Sequence, residues 1–110
     1  MKYAFALLLT AGPVWADAPV IENVTYDAGR FDVTLSHPDT GWDHYADGWR
    51  IELADGTILG TRVLVHPHET EQPFTRSGTI SVPDGAGEVY IRASCNVDGW
   101  AEETEPFPIP

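Results

Sequence analysis

The stretch that decides the fold reads Trp49-Arg50-Ile51-Glu52-Leu53-Ala54-Asp55-Gly56-Thr57. Large apolar side chains alternate here with polar or small ones, which is the period-two pattern of a strand with one buried face. Asp55-Gly56 is a strong signal for a tight hairpin turn, so a second antiparallel strand is expected over residues 57–65. Gly60 inside that strand predicts a bulge.

The same alternation recurs on both sides of this hairpin. Apolar side chains occupy every second position over residues 31–35, 80–82 and 89–93, and residues 19–26 are rich in β-formers. No segment of this part of the chain shows a helical period. The predicted fold class is therefore all-β, an immunoglobulin-like antiparallel β-sandwich of about seven strands. Residues 102–110 are expected to form an edge strand or a loose tail.

The first 16 of the 110 residues have the organisation of a secretory signal peptide. Lys2 forms the positive n-region, residues 4–9 the apolar h-region, and Val14-Trp15-Ala16 a small-x-small cleavage site. We expect residues 1–16 to be removed by cleavage near Ala16 and residues 17–110 to form a single β-sandwich domain. The expected location is periplasmic or secreted.

Charge and composition exclude several kinds of partner. The chain has 17 acidic and 6 basic side chains, a formal charge of −11, which disfavours nucleic acids and anionic membranes. After Ala16 no apolar run approaches the roughly 20 residues of a membrane span. The single cysteine, Cys95, cannot form an internal disulfide. We interpret Asp39, Asp43 and Asp47 as solvated acids, with a calcium site as the alternative, since their loop lacks the glycine placement of an EF-hand.

All four histidines lie in two long predicted connections, residues 37–48 and 66–76. Neutral imidazole is the commonest side-chain metal ligand, so each pair is a candidate site: His37 with His44, and His66 with His68. Positions two apart in an extended chain face the same side, which would let the second pair hold one ion. Solvated loop histidines are the alternative interpretation of both pairs.

Cys95 falls at the end of the last alternating strand, on its apolar side. One interpretation is a small buried apolar residue. The other is a metal ligand or a reactive thiol. Asp98 follows three positions later, with Gly99 beside it to tighten the turn, so a thiolate and a carboxylate can approach one point.

Three segments, in chain order, resemble the ferrous-iron domain of superoxide reductases, the desulfoferrodoxin and neelaredoxin family. The family motifs are His-x-Pro-x-Ile-Glu, then His-Pro…His-Tyr/His followed by Trp-Ile-Glu, then Cys-Asn-x-His-Gly-x-Trp. The similar segments are Asp17-Ala18-Pro19-Val20-Ile21-Glu22, then His37-Pro38 with His44-Tyr45 and Trp49-Arg50-Ile51-Glu52, then Cys95-Asn96-Val97-Asp98-Gly99-Trp100.

This resemblance implies a seven-stranded immunoglobulin-like sandwich around one iron, held by four imidazoles and one axial thiolate. In that family superoxide is reduced to peroxide at the open sixth position. The resemblance makes His37 and His44 equatorial ligands and Cys95 the axial thiolate. Asp17 and Asp98 stand where the family has its other motif histidines, so both carboxylates are candidate ligands.

Two function hypotheses follow. The first is an exported metal-binding protein with a mononuclear iron or copper redox site, in which His66 and His68 are candidates for the missing imidazoles. As an enzyme it would be a superoxide reductase-like oxidoreductase, whose partners are a small oxidant such as superoxide and an unidentified electron donor or protein partner. The second is a metal-free immunoglobulin-like binding or structural module. Convergence of His37, His44 and Cys95 on one point favours the first hypothesis.

Overall fold

The computed structural model describes residues 18–110, which form two antiparallel β-sheets packed face to face. The strands are β1 (Val20–Asp27), β2 (Arg30–Ser36), β3 (Ala46–Glu52), β4 (Ile58–Val63), β5 (Phe74–Thr79), β6 (Glu88–Cys95), β7 (Gly99–Trp100) and β8 (Glu105–Pro108). One sheet has the order β1-β2-β5, and the other has the order β4-β3-β6-β7, with β8 also paired to β6. The all-β sandwich prediction is confirmed.

The N-terminal predictions fall outside this description. The signal peptide of residues 1–16, its cleavage near Ala16, and Asp17 all precede the first described residue. Within residues 18–110 the structure has no helix, and so none long and apolar enough to cross a membrane.

The hairpin at Asp55-Gly56 forms as predicted. Leu53 N donates to Thr57 O at 2.8 Å across the turn. Gly56 has φ of 91°, a conformation that costs glycine nothing because it lacks a Cβ. The pairing of β3 with β4 shifts register beside Gly60, which is the expected bulge. The strand is shorter than predicted, because β4 ends at Val63.

The core lies between the two sheets and follows the predicted alternation of β2, β3 and β6. Fully buried apolar side chains include Phe31, Leu35, Trp49, Ile51, Val89 and Ile91. Cys95 continues the buried face of β6 to its last residue and is 1% exposed. The strand periodicity thus carries the thiol to one end of the sandwich.

Some predicted boundaries were wrong. The first loop ends at Tyr45 and not at residue 48, because Ala46 already pairs with Cys95. The second loop ends before Phe74 and not at residue 76, because Phe74 already pairs with Leu35 of β2. Both loops are therefore shorter than predicted. They lie at the same end of the sandwich as the end of β6. Residues 105–108 form β8, so the C-terminal segment is an edge strand.

Glu52 lies on the predicted polar face of β3 and is nevertheless only 3% exposed. Arg50 Nε and Arg92 Nε each donate to its Oε2 at 2.7 Å, and Arg92 also binds Oε1. The hydrogen bond from Arg92 is the main cause that holds the pKa of Glu52 below its usual range. Arg92 further donates to the carbonyls of Ala101 and Glu102, which fastens the C-terminal segment to the sheet beside this ion pair.

Candidate metal centre

Three residues with metal-binding side chains meet at the end of the sandwich where β2 and β6 finish. His37, His44 and Cys95 each offer one ligand atom, and these atoms lie within 4.8 Å of one another. His37 directly follows β2, and Cys95 is the last residue of β6. His44 lies in a tight turn, where its N–H donates to Gly41 O at 3.2 Å. The structure therefore brings together three of the residues predicted as ligands.

Asp39 orients the ring of His37. His37 Nδ1 lies 2.6 Å from Asp39 Oδ1, and neither side chain has exposed surface. A carboxylate only accepts hydrogen bonds, so this contact places the ring proton on Nδ1 and leaves the lone pair on Nε2. His37 Nε2 is buried without a hydrogen-bond partner. A carboxylate on one ring nitrogen and a free lone pair on the other is the usual arrangement of a metal-binding histidine.

The thiol of Cys95 is in an environment that disfavours a reactive nucleophile. Burial is the main cause that raises its pKa, and the backbone N–H groups of Val97 and Asp98 lower it in part. The N–H of Asp98 reaches Sγ at 3.3 Å. Catalytic cysteines instead have lowered pKa values and some exposure. Because a metal binds the thiolate, an ion bound to Cys95 would have to displace the thiol proton.

His44 is the half-buried member of the cluster. Its Nε2 lies 3.7 Å from Cys95 Sγ, and its ring stands nearly perpendicular to that of His37, with centroids 4.7 Å apart. Asp98 is exposed, with Oδ2 3.8 Å from Cys95 Sγ, and is not a member of the three-atom cluster. An ion held there would thus be approached from the His44 and Asp98 side.

The second predicted histidine pair lies apart from the cluster. His66 is exposed, and its Nδ1 is 3.0 Å from Pro67 O. His68 is buried and stacks on Phe74, with ring centroids 3.8 Å apart and planes 8° from parallel. Burial is the main cause that lowers the pKa of His68. Its Nδ1 lies 3.8 Å from Oδ2 of Asp39, so it contacts that carboxylate and not the three ligand atoms.

Two residues that support the cluster were missed from the sequence. Asp39 is 8% exposed and so is not the solvated acid expected, because its oxygens accept N–H bonds from Ala46 and His68 as well as the His37 contact. Asn96 accepts from Tyr45 N at 2.8 Å and donates to Trp42 O at 3.0 Å. These bonds tie the His44 turn to the end of β6.

The spacing in His37-Pro38-Asp39 could have predicted the role of Asp39. A carboxylate two positions after a candidate ligand histidine can reach back to its ring. Asn96 carried no signal of its own, since its three partners lie more than 50 positions away along the chain.

The donor set fits one soft or borderline transition-metal ion. Two imidazoles and a thiolate are ligands shared by iron, copper and zinc sites. The structural reason to expect an ion here is the Nε2 atom of His37, which is buried without a hydrogen-bond partner. The set is nevertheless two imidazoles short of the four that the superoxide reductase resemblance implies.

Comparisons with known proteins support the fold more than the chemistry. No family profile matches the sequence. A protein of Halomicrobium mukohataei named "Putative lipoprotein" is 43% identical over 88 residues, which are 76% of this chain and 43% of that protein. The chain thus spans less than half the length of this relative.

A solved structure extends the comparison to the whole sandwich. A superoxide reductase (1Fe-SOR) from Giardia intestinalis aligns with a TM-score of 0.55 and 15% identity, over 84% of this chain and 97% of that one. This chain therefore has a superoxide reductase-like fold, as the three sequence segments indicated. At this identity the likeness concerns the fold alone.

Proposed function

We propose that this chain is an exported metalloprotein that holds one redox-active ion, iron or copper, at His37, His44 and Cys95. The observation that carries the proposal is the buried, unpartnered Nε2 of His37, whose ring proton is held on the other nitrogen by Asp39. Leaving a buried polar atom unsatisfied costs about 1–3 kcal/mol, a cost that a bound ion removes.

The chain's own residues prepare the ligands. Asp39 keeps the lone pair of His37 Nε2 available. The N–H of Asp98 donates to Cys95 Sγ at 3.3 Å, which partly offsets the burial that raises the pKa of this thiol. Burial of His37 and Cys95 excludes water from one side of the site. The ion, when bound, supplies a one-electron redox centre whose electronics depend on the thiolate.

The reaction class that we propose is oxidoreduction of a small oxidant such as superoxide, with electrons from an unidentified donor protein. The superoxide reductase-like fold supports this class, and the half-buried His44 leaves one face of the site near solvent. The formal charge of −11 repels an anion, so we expect superoxide to react more slowly here than at a basic site.

Export is supported by two separate features. Residues 1–16 have the n-region, h-region and cleavage site of a signal peptide, and the 43% identical relative is named as a lipoprotein. We propose that residues 17–110 are the mature domain and that it is periplasmic or secreted.

Metal content of the purified full chain tests the proposal. We expect about one iron or copper ion per wild-type chain, lost in Cys95→Ser because the anionic ligand is gone. His66→Ala is the matched control, since it removes an exposed histidine outside the cluster. A wild-type protein that takes up no metal, even after anaerobic reconstitution, would overturn the proposal in favour of a metal-free module.

A further inference from the structure

The geometry points to copper as the ion of this site, held by the three-donor set of His37, His44 and Cys95. The inference rests on the proposed function, because it assumes that these residues hold a metal. It names copper instead of the iron that the sequence resemblance implies. Metal binding and the visible spectrum test it without an activity assay.

The number of donors is the first argument. Among residues 18–110 the ligand atoms of two histidines and one cysteine converge. The other two imidazoles lie outside this set: His66 Nδ1 is 3.0 Å from Pro67 O, and the ring of His68 stacks on Phe74. The iron site implied by the resemblance needs four imidazoles and a thiolate. A trigonal set of two histidines and one cysteine is a known arrangement for copper.

The separation of two donor atoms is the second argument. With metal–sulfur and metal–nitrogen bonds of about 2.3 and 2.0 Å, a right angle at the ion separates the two donors by about 3.1 Å, and an angle of 120° separates them by about 3.7 Å. Cys95 Sγ and His44 Nε2 lie 3.7 Å apart. The two atoms can therefore bind one ion, and their separation is nearer to that of a trigonal angle than to that of a right angle.

The chemical character of the donors is the third argument. A thiolate buried beside two imidazoles is a soft, weakly hydrated set, and affinity for such donors rises from iron(II) to copper(II) along the Irving–Williams order. Oδ2 of Asp98 lies 3.8 Å from Cys95 Sγ and is not part of the three-atom set.

The test is an anaerobic competition on the full chain after chelator treatment. The protein is titrated with copper(I) against a chromogenic copper(I) chelator, with iron(II) alone, and with both ions together. We expect one copper per chain, retained when iron(II) is present at equal concentration. After oxidation we expect an intense visible thiolate-to-copper charge-transfer band in the wild type and in His66→Gln, and its loss in Cys95→Ser.

The outcomes separate this inference from the proposed function. Stoichiometric iron that copper does not displace overturns the copper assignment and leaves a metal site in place. Binding of neither ion overturns both proposals. Copper uptake without a charge-transfer band in the wild type means binding away from Cys95 and also overturns the inference. This last readout needs no variant, so it holds even if Cys95→Ser does not fold.

Discussion

At the scale of single residues, Asp39 connects three separate parts of the chain beside the candidate centre. One of its oxygens contacts His37 Nδ1 and accepts from Ala46 N, and the other accepts from His68 N. The loop after β2, the start of β3 and the loop before β5 therefore meet on one buried carboxylate. Its position determines where the Nε2 of His37 points.

Asp39→Asn is expected to weaken metal binding by roughly 10–100-fold, the usual effect of losing a residue that orients a ligand. The amide has one acceptor oxygen, so it cannot serve both the His37 side and the His68 side. Chelator competition measures the affinity, and urea unfolding measures stability separately. Asp84→Asn, in the exposed turn before β6, is the control. Unchanged metal affinity in Asp39→Asn would show that the carboxylate does not orient His37.

His68 gives a pH-dependent prediction. Burial lowers its pKa in the folded chain below 6.5, so below that pH the unfolded chain takes up a proton that the folded chain resists. The contribution of His68 to stability is therefore present above about pH 6.5 and declines as the pH falls toward the lowered folded-state value. Both ring nitrogens are also buried without hydrogen-bond partners.

His68→Phe should keep the stack on Phe74 while it removes the titration and the two unsatisfied nitrogens. We expect a free energy of unfolding about 1 kcal/mol higher than that of the wild type at pH 5, with a smaller difference at pH 7. Urea unfolding of both proteins at the two pH values measures this. Identical pH dependence in the two proteins would contradict the account of His68.

At the scale of elements, strand parity accounts for what the sequence could predict. Trp49 and Ile51 are buried, and Cys95 falls on the apolar side of β6, because alternation is local and each strand repeats it. The burial of Glu52 and Asp39 could not be predicted in this way. It depends on partners far along the chain, such as Arg92, 40 positions from Glu52.

The attachment of the His44 turn to β6 is tested by Asn96→Ala. The change removes the bonds to Tyr45 N and Trp42 O, with an expected cost of about 1–2 kcal/mol in stability. It should also weaken metal binding, since His44 is no longer held beside Cys95. Asn23→Ala, at an exposed position of β1, is the control. A metal affinity equal to that of the control would mean that other contacts hold the turn.

The packing of β4 against Ile80, which directly follows β5, depends on the absence of a side chain at Gly60. A Cβ at Gly60 would lie 2.9 Å from Cγ1 and 3.1 Å from Cγ2 of Ile80, which is buried. We expect Gly60→Ala to lower the free energy of unfolding by about 1–3 kcal/mol. Gly87→Ala is the matched control, because a Cβ there meets nothing within 4 Å. Equal unfolding free energies for the two variants would show that Ile80 moves aside without cost.

At the scale of the whole molecule, the fold is similar to that of a superoxide reductase, whereas the candidate ligand set differs from the one that the sequence resemblance implies. The sandwich aligns with such an enzyme over 84% of the chain. Asp98, which the sequence resemblance places at the position of a motif histidine, lies exposed beside the thiol, outside the three-atom cluster. The order of sequence segments was sufficient to indicate the fold. It was not sufficient to predict the donor set, because whether His66 and His68 reach the centre depends on the path of a loop.

X-ray absorption at the metal edge of the reconstituted full chain tests the central claim most directly, since it counts the atoms bound to the ion. The account predicts one sulfur at roughly 2.2–2.3 Å and two imidazole nitrogens at about 2.0 Å. The sulfur scatterer should disappear in Cys95→Ser and persist in His66→Ala. An ion with no sulfur neighbour in the wild-type protein would contradict the claim that His37, His44 and Cys95 form a metal centre.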